Sequence, residues 1–176
     1  MGLQLVLFDV DGVLTNGYLS IASEGEIFKQ FNVKDGVAVA LLKSHGIKTG
    51  VISGKKSAAL DFRCDQLGLD VVVTGCEDKL VAAEKIVSAM SITSSQVAFV
   101  GDDIIDLSAM MFAGISFAPA DAHALAKRRA DVTLESIGGG GVAREVAEYI
   151  LFQRGLSLEE MYQPLLESKE KVEVVQ

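Results

Sequence analysis

Short apolar runs separated by polar stretches set the rhythm of this chain. Leu5–Phe8, Lys48–Ile52, Val71–Thr74, Val97–Val100, Ile115–Ala118 and Val132–Leu134 have the length and composition of buried strands. Between them, Val37–Ser44, Ala58–Leu67, Lys79–Met90, Asp106–Phe112, Ala122–Arg129 and Val142–Gln153 carry apolar residues at helical spacing. Strands alternating with helices predict an α/β fold, a Rossmann-like parallel sheet flanked by helices on both faces.

One segment breaks the rhythm. In Gly17–Val33, the alternating runs Tyr18–Ile21 and Glu26–Phe31 flank the turn-forming Ala22-Ser23-Glu24-Gly25, which predicts a β-hairpin flap inserted after the first strand. Phe28, Phe31 and Val33 in it read as core or interface groups. Four glycines, Gly138–Gly141, precede the Val142 helix and read either as a flexible connector or as a loop near a ligand. After Gly155, Ser157-Leu158-Glu159-Glu160 is a helix-capping signal, and residues 169–176 form a charged tail. The expected organisation is one domain over residues 1–168, with the flap at 17–33 and the tail beyond.

Composition narrows the choice of function. The 176 residues are 49% hydrophobic and 23% charged, with a formal net charge of -8, enough apolar material for a substantial core. No basic block exists to neutralise a phosphate backbone, which argues against nucleic-acid binding. The apolar start Leu3–Phe8 contains Gln4 and ends at Asp9, so it is neither a signal peptide nor a membrane span. Cys64 and Cys76 form an isolated pair, expected as free thiols in a reducing compartment, with the cytoplasm as the default location.

The candidate chemistry lies where the strands end. Asp9-Val10-Asp11-Gly12 follows the first strand and Ser53-Gly54 the second; Lys79 opens the helix after the third, and Gly101-Asp102-Asp103-Ile104-Ile105-Asp106 follows the fourth. Ligands of open parallel sheets bind at this edge. Bare carboxylates gathered there would repel one another and raise their pKa values. A hard divalent cation such as Mg2+ resolves that conflict with oxygen ligands, while Lys79 and the backbone N–H groups near Ser53 and Gly54 would hold the remaining oxygens of a phosphoryl group. That inventory points to phosphoryl transfer, with Asp9 attacking phosphorus and Asp11 protonating the leaving alcohol before activating water.

These four segments, in this order, resemble the four motifs of the haloacid dehalogenase-like phosphohydrolases. The resemblance implies Asp9 as nucleophile, Asp11 as acid and base, Ser53 and Lys79 as phosphate-binding groups, and Mg2+ held by Asp9, the Asp11 carbonyl and Asp102. Asp103 and Asp106 belong to the same motif in supporting positions. Many relatives insert a cap domain between motifs, but the 37 residues 16–52 and the 24 residues 55–78 leave no room for one. A subunit interface is the expected closure of the pocket.

A closer similarity covers nearly the whole chain. Phe31-Asn32-Val33-Lys34-Asp35-Gly36, Ala120-Asp121-Ala122-His123 and Gly138–Glu145 resemble segments of 3-deoxy-D-manno-octulosonate 8-phosphate (KDO 8-phosphate) phosphatases. This implies a capless homotetramer whose flap and tail help close neighbouring sites, and a small phosphorylated sugar acid as substrate in lipopolysaccharide precursor synthesis. Lys55, Arg63 and Asn32 are the substrate-binding candidates, Arg63 reaching a neighbouring subunit's site. Family members usually carry Arg at position 55, whereas the related nine-carbon, sialic-acid-type 9-phosphate phosphatases often carry Glu. A cation suits the carboxylate of a sugar acid, although Lys lacks the bidentate fork of Arg. His123 is expected at a helix start and His45 at the surface. Two other classes compete. A phospho-receiver domain shares the acids, hydroxyl, Lys and Mg2+, but Asp11 two residues after Asp9 separates the chain from it. A non-catalytic scaffold would not need all five of Asp9, Asp11, Ser53, Lys79 and Asp102.

Overall fold

Six strands form one parallel sheet in a computed structural model that describes residues 2–167. In chain order the elements are β1 (Leu5–Phe8), β2 (Ser20–Ala22), β3 (Gly25–Phe28), α1 (Lys34–Ser44), β4 (Lys48–Ile52), α2 (Ala58–Leu67), β5 (Val71–Val73), α3 (Lys79–Ala89), β6 (Val97–Val100), α4 (Leu107–Phe112), β7 (Ile115–Ala118), α5 (Ala124–Arg129), β8 (Val132–Thr133), α6 (Val142–Phe152) and α7 (Leu158–Glu167). The sheet order is β5-β4-β1-β6-β7-β8, while β2 and β3 make a separate antiparallel pair. The expected α/β architecture is the observed one. The tail 169–176 lies outside the described residues.

Alternation along the central strands divides the core into two layers. Val6 and Phe8 of β1, with Ala98 and Val100 of β6, pack among Leu41, Leu42, Val146 and Ile150 of α1 and α6. Leu5 and Leu7, with Val97 and Phe99, face the opposite way against Ala83, Ile86 and Met110 of α3 and α4. Both faces of these strands are therefore buried, which is why they read as continuous apolar runs. α7 closes the first layer. Its start is a reciprocal cap in which Ser157 N donates to Glu160 Oε2 at 2.7 Å and Glu160 N donates to Ser157 Oγ at 3.3 Å. Arg144 of α6 pairs with Glu148 at 2.9 Å and stacks 4.7 Å over the Tyr162 ring, fixing α7 on α6.

The boundaries shift where side chains cap the chain. Helix α1 begins at Lys34, three residues earlier than expected, because Asn32 Oδ1 accepts from Lys34 N at 3.0 Å. Helix α5 begins at Ala124, since His123 Nδ1 accepts from Leu125 N. The hairpin strands are shorter than the alternating runs, with an irregular register between Ser20 and Ile21. His45 is not a free surface residue: its Nε2 lies 2.8 Å from Met161 O of α7. Cys64 and Cys76 are free thiols. Among the described residues, no helix is long and apolar enough to cross a membrane.

Phe117 lies at the centre of the first layer, fully buried, with its ring 5.3 Å from the Tyr149 ring at an interplanar angle of 82°. Truncation of a buried phenylalanine costs about 3–5 kcal/mol through lost transfer energy and a residual cavity. Phe117→Ala should lower stability by about that amount in urea unfolding, with the two-state slope retained.

Candidate active site

The chemistry-bearing residues gather at the C-terminal edge of β1, β4 and β6. Asp9 extends the β1–β6 ladder, its N–H donating to Val100 O at 2.9 Å. The chain then turns at once, because Val13, Leu14 and Thr15 all donate to Val10 O, and Thr15 Oγ1 accepts from Gly12 N and Gly17 N. Gly12 has φ +88°, and a Cβ there would lie 2.2 Å from Asp102 Oδ2. Only glycine lets the turn after Asp9 come this close to the Asp102 carboxylate.

Lys79, the first residue of α3, reaches into this space. Its Nζ lies 2.7 Å from Asp9 Oδ1 and 2.5 Å from Asp106 Oδ1, and all three side chains are buried. Burial alone would push the Lys79 ammonium down, but the two carboxylates outweigh it and hold the group above the ordinary lysine value. The other oxygen of Asp106 accepts from Asp102 N at 3.0 Å and Asp103 N at 3.2 Å. Asp106 therefore ties the loop after β6 to Lys79. Asp103 turns outward and caps the short helical turn at Ile104, so its carboxylate supports the loop.

The acids are not fully neutralised by Lys79. Burial first, and the Asp106 charge second, push Asp9 up to about 6 despite Lys79. Burial followed by repulsion from Asp9, Asp106 and Asp103 raises Asp102 to about 7. Carboxylate oxygens of Asp9, Asp102 and Asp106 lie within 4.8 Å of one another. Because both Asp106 oxygens already have partners, Asp9 and Asp102 are the side chains free to bind a cation. Two unrelieved carboxylates on a buried hard-oxygen site fit Mg2+ in ligand type and charge.

The remaining expected residues divide. Ser53 is buried after β4, its Oγ accepting from Lys55 N at 3.2 Å, which shapes the Ser53-Gly54 turn. Lys55 is exposed. Asp11 does not join the carboxylate cluster; its Oδ1 pairs with Lys29 Nζ of the flap at 2.5 Å, and Lys29 also contacts Glu26 at 3.2 Å. Asn32, expected at the substrate, is held by backbone in this chain. Its Nδ2 donates to Gly139 O at 2.8 Å and its Oδ1 caps α1, so both ends of the amide are engaged by backbone. Arg63 donates to Asn32 O and Gln66 Oε1, and lines a cavity of about 390 Å3 with Lys29, Phe31, Val33 and Phe62. The tetraglycine loop is no loose connector: a Cβ at Gly138 would lie 2.3 Å from Gly12 O.

Sequence reasoning missed Lys29. A lone cation within an otherwise apolar-rich hairpin strand, in a fold with surplus acid at the adjoining edge, was the available signal. It also missed Asp35, whose buried carboxyl is raised to about 6, chiefly by burial and against the pull of Arg63.

The fold and site define a phosphohydrolase of the haloacid dehalogenase-like class, and residues 69–146 match the haloacid dehalogenase-like hydrolase family model. The chain is 37% identical over 153 residues to the 3-deoxy-D-manno-octulosonate 8-phosphate phosphatase KdsC of Escherichia coli K12, covering 87% of this chain and 81% of that protein. Two solved structures are similar throughout. The cobalt-bound Haemophilus influenzae phosphatase is 36% identical with TM-score 0.88, covering 94% of this chain and 97% of that one. The Moraxella catarrhalis enzyme, in complex with magnesium, phosphate and KDO, is 35% identical with TM-score 0.83, covering 86% and 87%. The chain belongs to the 3-deoxy-D-manno-octulosonate 8-phosphate phosphatase family, whose named members are phosphoric monoester hydrolases.

The raised acids give metal binding a definite pH dependence. Without metal, the folded state holds more protons than the unfolded chain between about pH 4 and 7, so these groups withdraw stability as pH rises through their folded values. Mg2+ must displace those protons. Its affinity should therefore rise from pH 5.5 to 8, by up to about tenfold per pH unit for each proton displaced, with proton release seen calorimetrically in buffers of different ionisation enthalpy. Thermal stabilisation by Mg2+ should be larger at pH 8 than at pH 5.5.

Proposed function

We propose that this protein is a Mg2+-dependent phosphatase that hydrolyses 3-deoxy-D-manno-octulosonate 8-phosphate to the free sugar acid and inorganic phosphate, in lipopolysaccharide precursor synthesis. The observation that carries this reading is Asp9 held on Lys79 beside Asp102 at the strand-end edge, in a chain whose relatives bear that activity. Asp9 and Asp102 would hold the metal through their carboxylates and Asp11 through its backbone carbonyl. The bound ion supplies positive charge that offsets repulsion between the Asp9 carboxylate and the substrate phosphate.

The chain's own residues carry the remaining steps. An Asp9 oxygen attacks phosphorus, the bond to the sugar oxygen breaks, and Asp11 delivers a proton to that leaving oxygen. Asp11 then takes a proton from water as the water attacks the aspartyl-phosphate, which releases phosphate and restores Asp9. Lys79 orients Asp9 and places its charge beside the phosphoryl oxygens, and the Ser53-Gly54 turn offers backbone N–H groups and a hydroxyl. Lys55 is exposed at that turn and suits the carboxylate of a sugar acid; a cation at this position, where the nine-carbon enzymes often carry Glu, favours the eight-carbon substrate.

The assembly is a homotetramer in this reading, with Arg63 meeting substrate across an interface. Tyr18, Ile21, Ile27 and Phe28 leave the flap with an exposed apolar surface that a second copy would cover. The free thiols fit a cytoplasmic enzyme.

Phosphate release from the eight-carbon and nine-carbon sugar-acid phosphates, with Mg2+, tests the reading directly. The eight-carbon substrate should give the higher kcat/KM, and Asp9→Asn should lower turnover by at least about 10^3-fold. Retained turnover in Asp9→Asn would remove the nucleophile assignment, and preference for the nine-carbon ester would overturn the substrate. Deleting Ser20–Lys29 should yield a smaller species by light scattering with poor turnover. A tetramer that survives this deletion would show that the flap does not assemble the protein.

A further inference from the structure

The tetraglycine loop packs its backbone onto the turn that follows Asp11. Besides the close approach of Gly138 to Gly12 O, a Cβ at Gly138 would lie 3.0 Å from Thr15 O, and one at Gly139 would lie 2.8 Å from Asn16 N. Gly139 N donates to Val13 O at 3.0 Å. Two side chains from elsewhere in the chain pin this loop: Asp121 Oδ1 accepts from Gly138 N, and Asn32 Nδ2 donates to Gly139 O, both at 2.8 Å.

On its other side the same turn meets the cation-binding acid, since Gly12 abuts the Asp102 carboxylate. The Asp102 carbonyl accepts from His123 N at 2.8 Å, two residues beyond Asp121. A closed circuit results, running from Asp121 through Gly138 to Gly12, across to Asp102, and back through His123. None of its hydrogen bonds uses a reacting atom, yet the circuit fixes the separation between the Asp9 turn and Asp102. The cation affinity and attack geometry depend on that separation.

We propose that Asp121 and Asn32 are positioning residues of the phosphatase site, acting through the Gly138–Gly141 strap that holds the Asp9 turn against Asp102. This rests on the phosphatase reading above. Asp121 is exposed, so a purely structural role would leave its removal nearly silent in both activity and metal binding. Asn32 has a backbone partner at each end of its amide, so it can act on the strap without a contact to substrate.

Four variants test the strap: Asp121→Ala, Asp121→Asn, Asn32→Ala and Gly138→Ala. Gly138 lies outside the left-handed region, so alanine there adds only the collision with the Asp9 turn. The measurements are kcat and KM on acetyl phosphate and on the eight-carbon sugar-acid phosphate, and a calorimetric Mg2+ titration of each folded protein. Asp121→Ala, Asn32→Ala and Gly138→Ala should each lower kcat about tenfold on both esters and weaken Mg2+ binding by a similar factor, with KM within about twofold. Asp121→Asn keeps an acceptor oxygen for Gly138 N and should restore both. Wild-type kcat and Mg2+ affinity in Asp121→Ala and Asn32→Ala, whatever their Tm, would overturn the proposal. So would a KM increase confined to the sugar-acid ester, which would make Asn32 a substrate contact. If the wild type hydrolyses no phosphate ester, the phosphatase reading fails, and the Mg2+ titrations alone then decide the strap.

Discussion

The contact of Lys79 with Asp9 and Asp106 is the constraint around which the rest of the site is arranged. An ammonium between two buried carboxylates costs several kcal/mol of desolvation per ion unless the geometry is close and the remaining oxygens are satisfied. Both conditions hold, with contacts of 2.7 and 2.5 Å and with the second Asp106 oxygen taking two backbone N–H groups. One ammonium cannot balance Asp9, Asp102 and Asp106 together. Burial first, and this imbalance second, raise the acids of Asp9 and Asp102, while Lys79 stays charged. Three carboxylates against one cation leave two negative charges, the number a divalent ion removes.

The sheet makes this arrangement possible because its chemistry comes from neighbouring strands. β4 and β6 flank β1, so the segments after each open onto one edge, and α3 returns Lys79 to it after β5. Burial of both faces of β1 and β6 leaves strand ends as the place where polar side chains can gather without entering the core. The charges that offset one another therefore sit on rigid strand and helix ends. Asp106 is the exception, held by a short turn that Asp103 caps.

Much of this was legible in the sequence, for physical reasons that also mark its limits. The strands and the acidic ends were readable because burial on both faces forces continuous apolar runs that must stop at the polar edge, as at Phe8-Asp9 and Val100-Gly101-Asp102. The early start of α1 was not, because Asp35 and Gly36 are poor helix formers and the compensating cap comes from Asn32. The partnership of Asp11 with Lys29 was equally hidden, since it joins residues from a strand end and a hairpin whose docking is tertiary. The role of Asn32 depends on Gly139, over a hundred residues away, and no local pattern carries such a contact.

The flap joins these two kinds of information. A two-stranded hairpin is marginal by itself, and β2 and β3 expose Ile21, Ile27 and Phe28 instead of burying them in this chain. Among its residues Lys29 has a nearly buried side chain, and it is spent on Asp11. The flap is thus anchored at its base by the carboxylate that the proposed mechanism uses for proton transfer. Asp11 holds Lys29 through Oδ1 and keeps Oδ2 for the leaving group, so whatever settles the exposed side of the hairpin also settles the surroundings of the acid. A cover for the flap supplied by neighbouring copies would then act at the reacting centre without contributing a reacting atom, which is a physical reason for a site of this size to work without a cap domain.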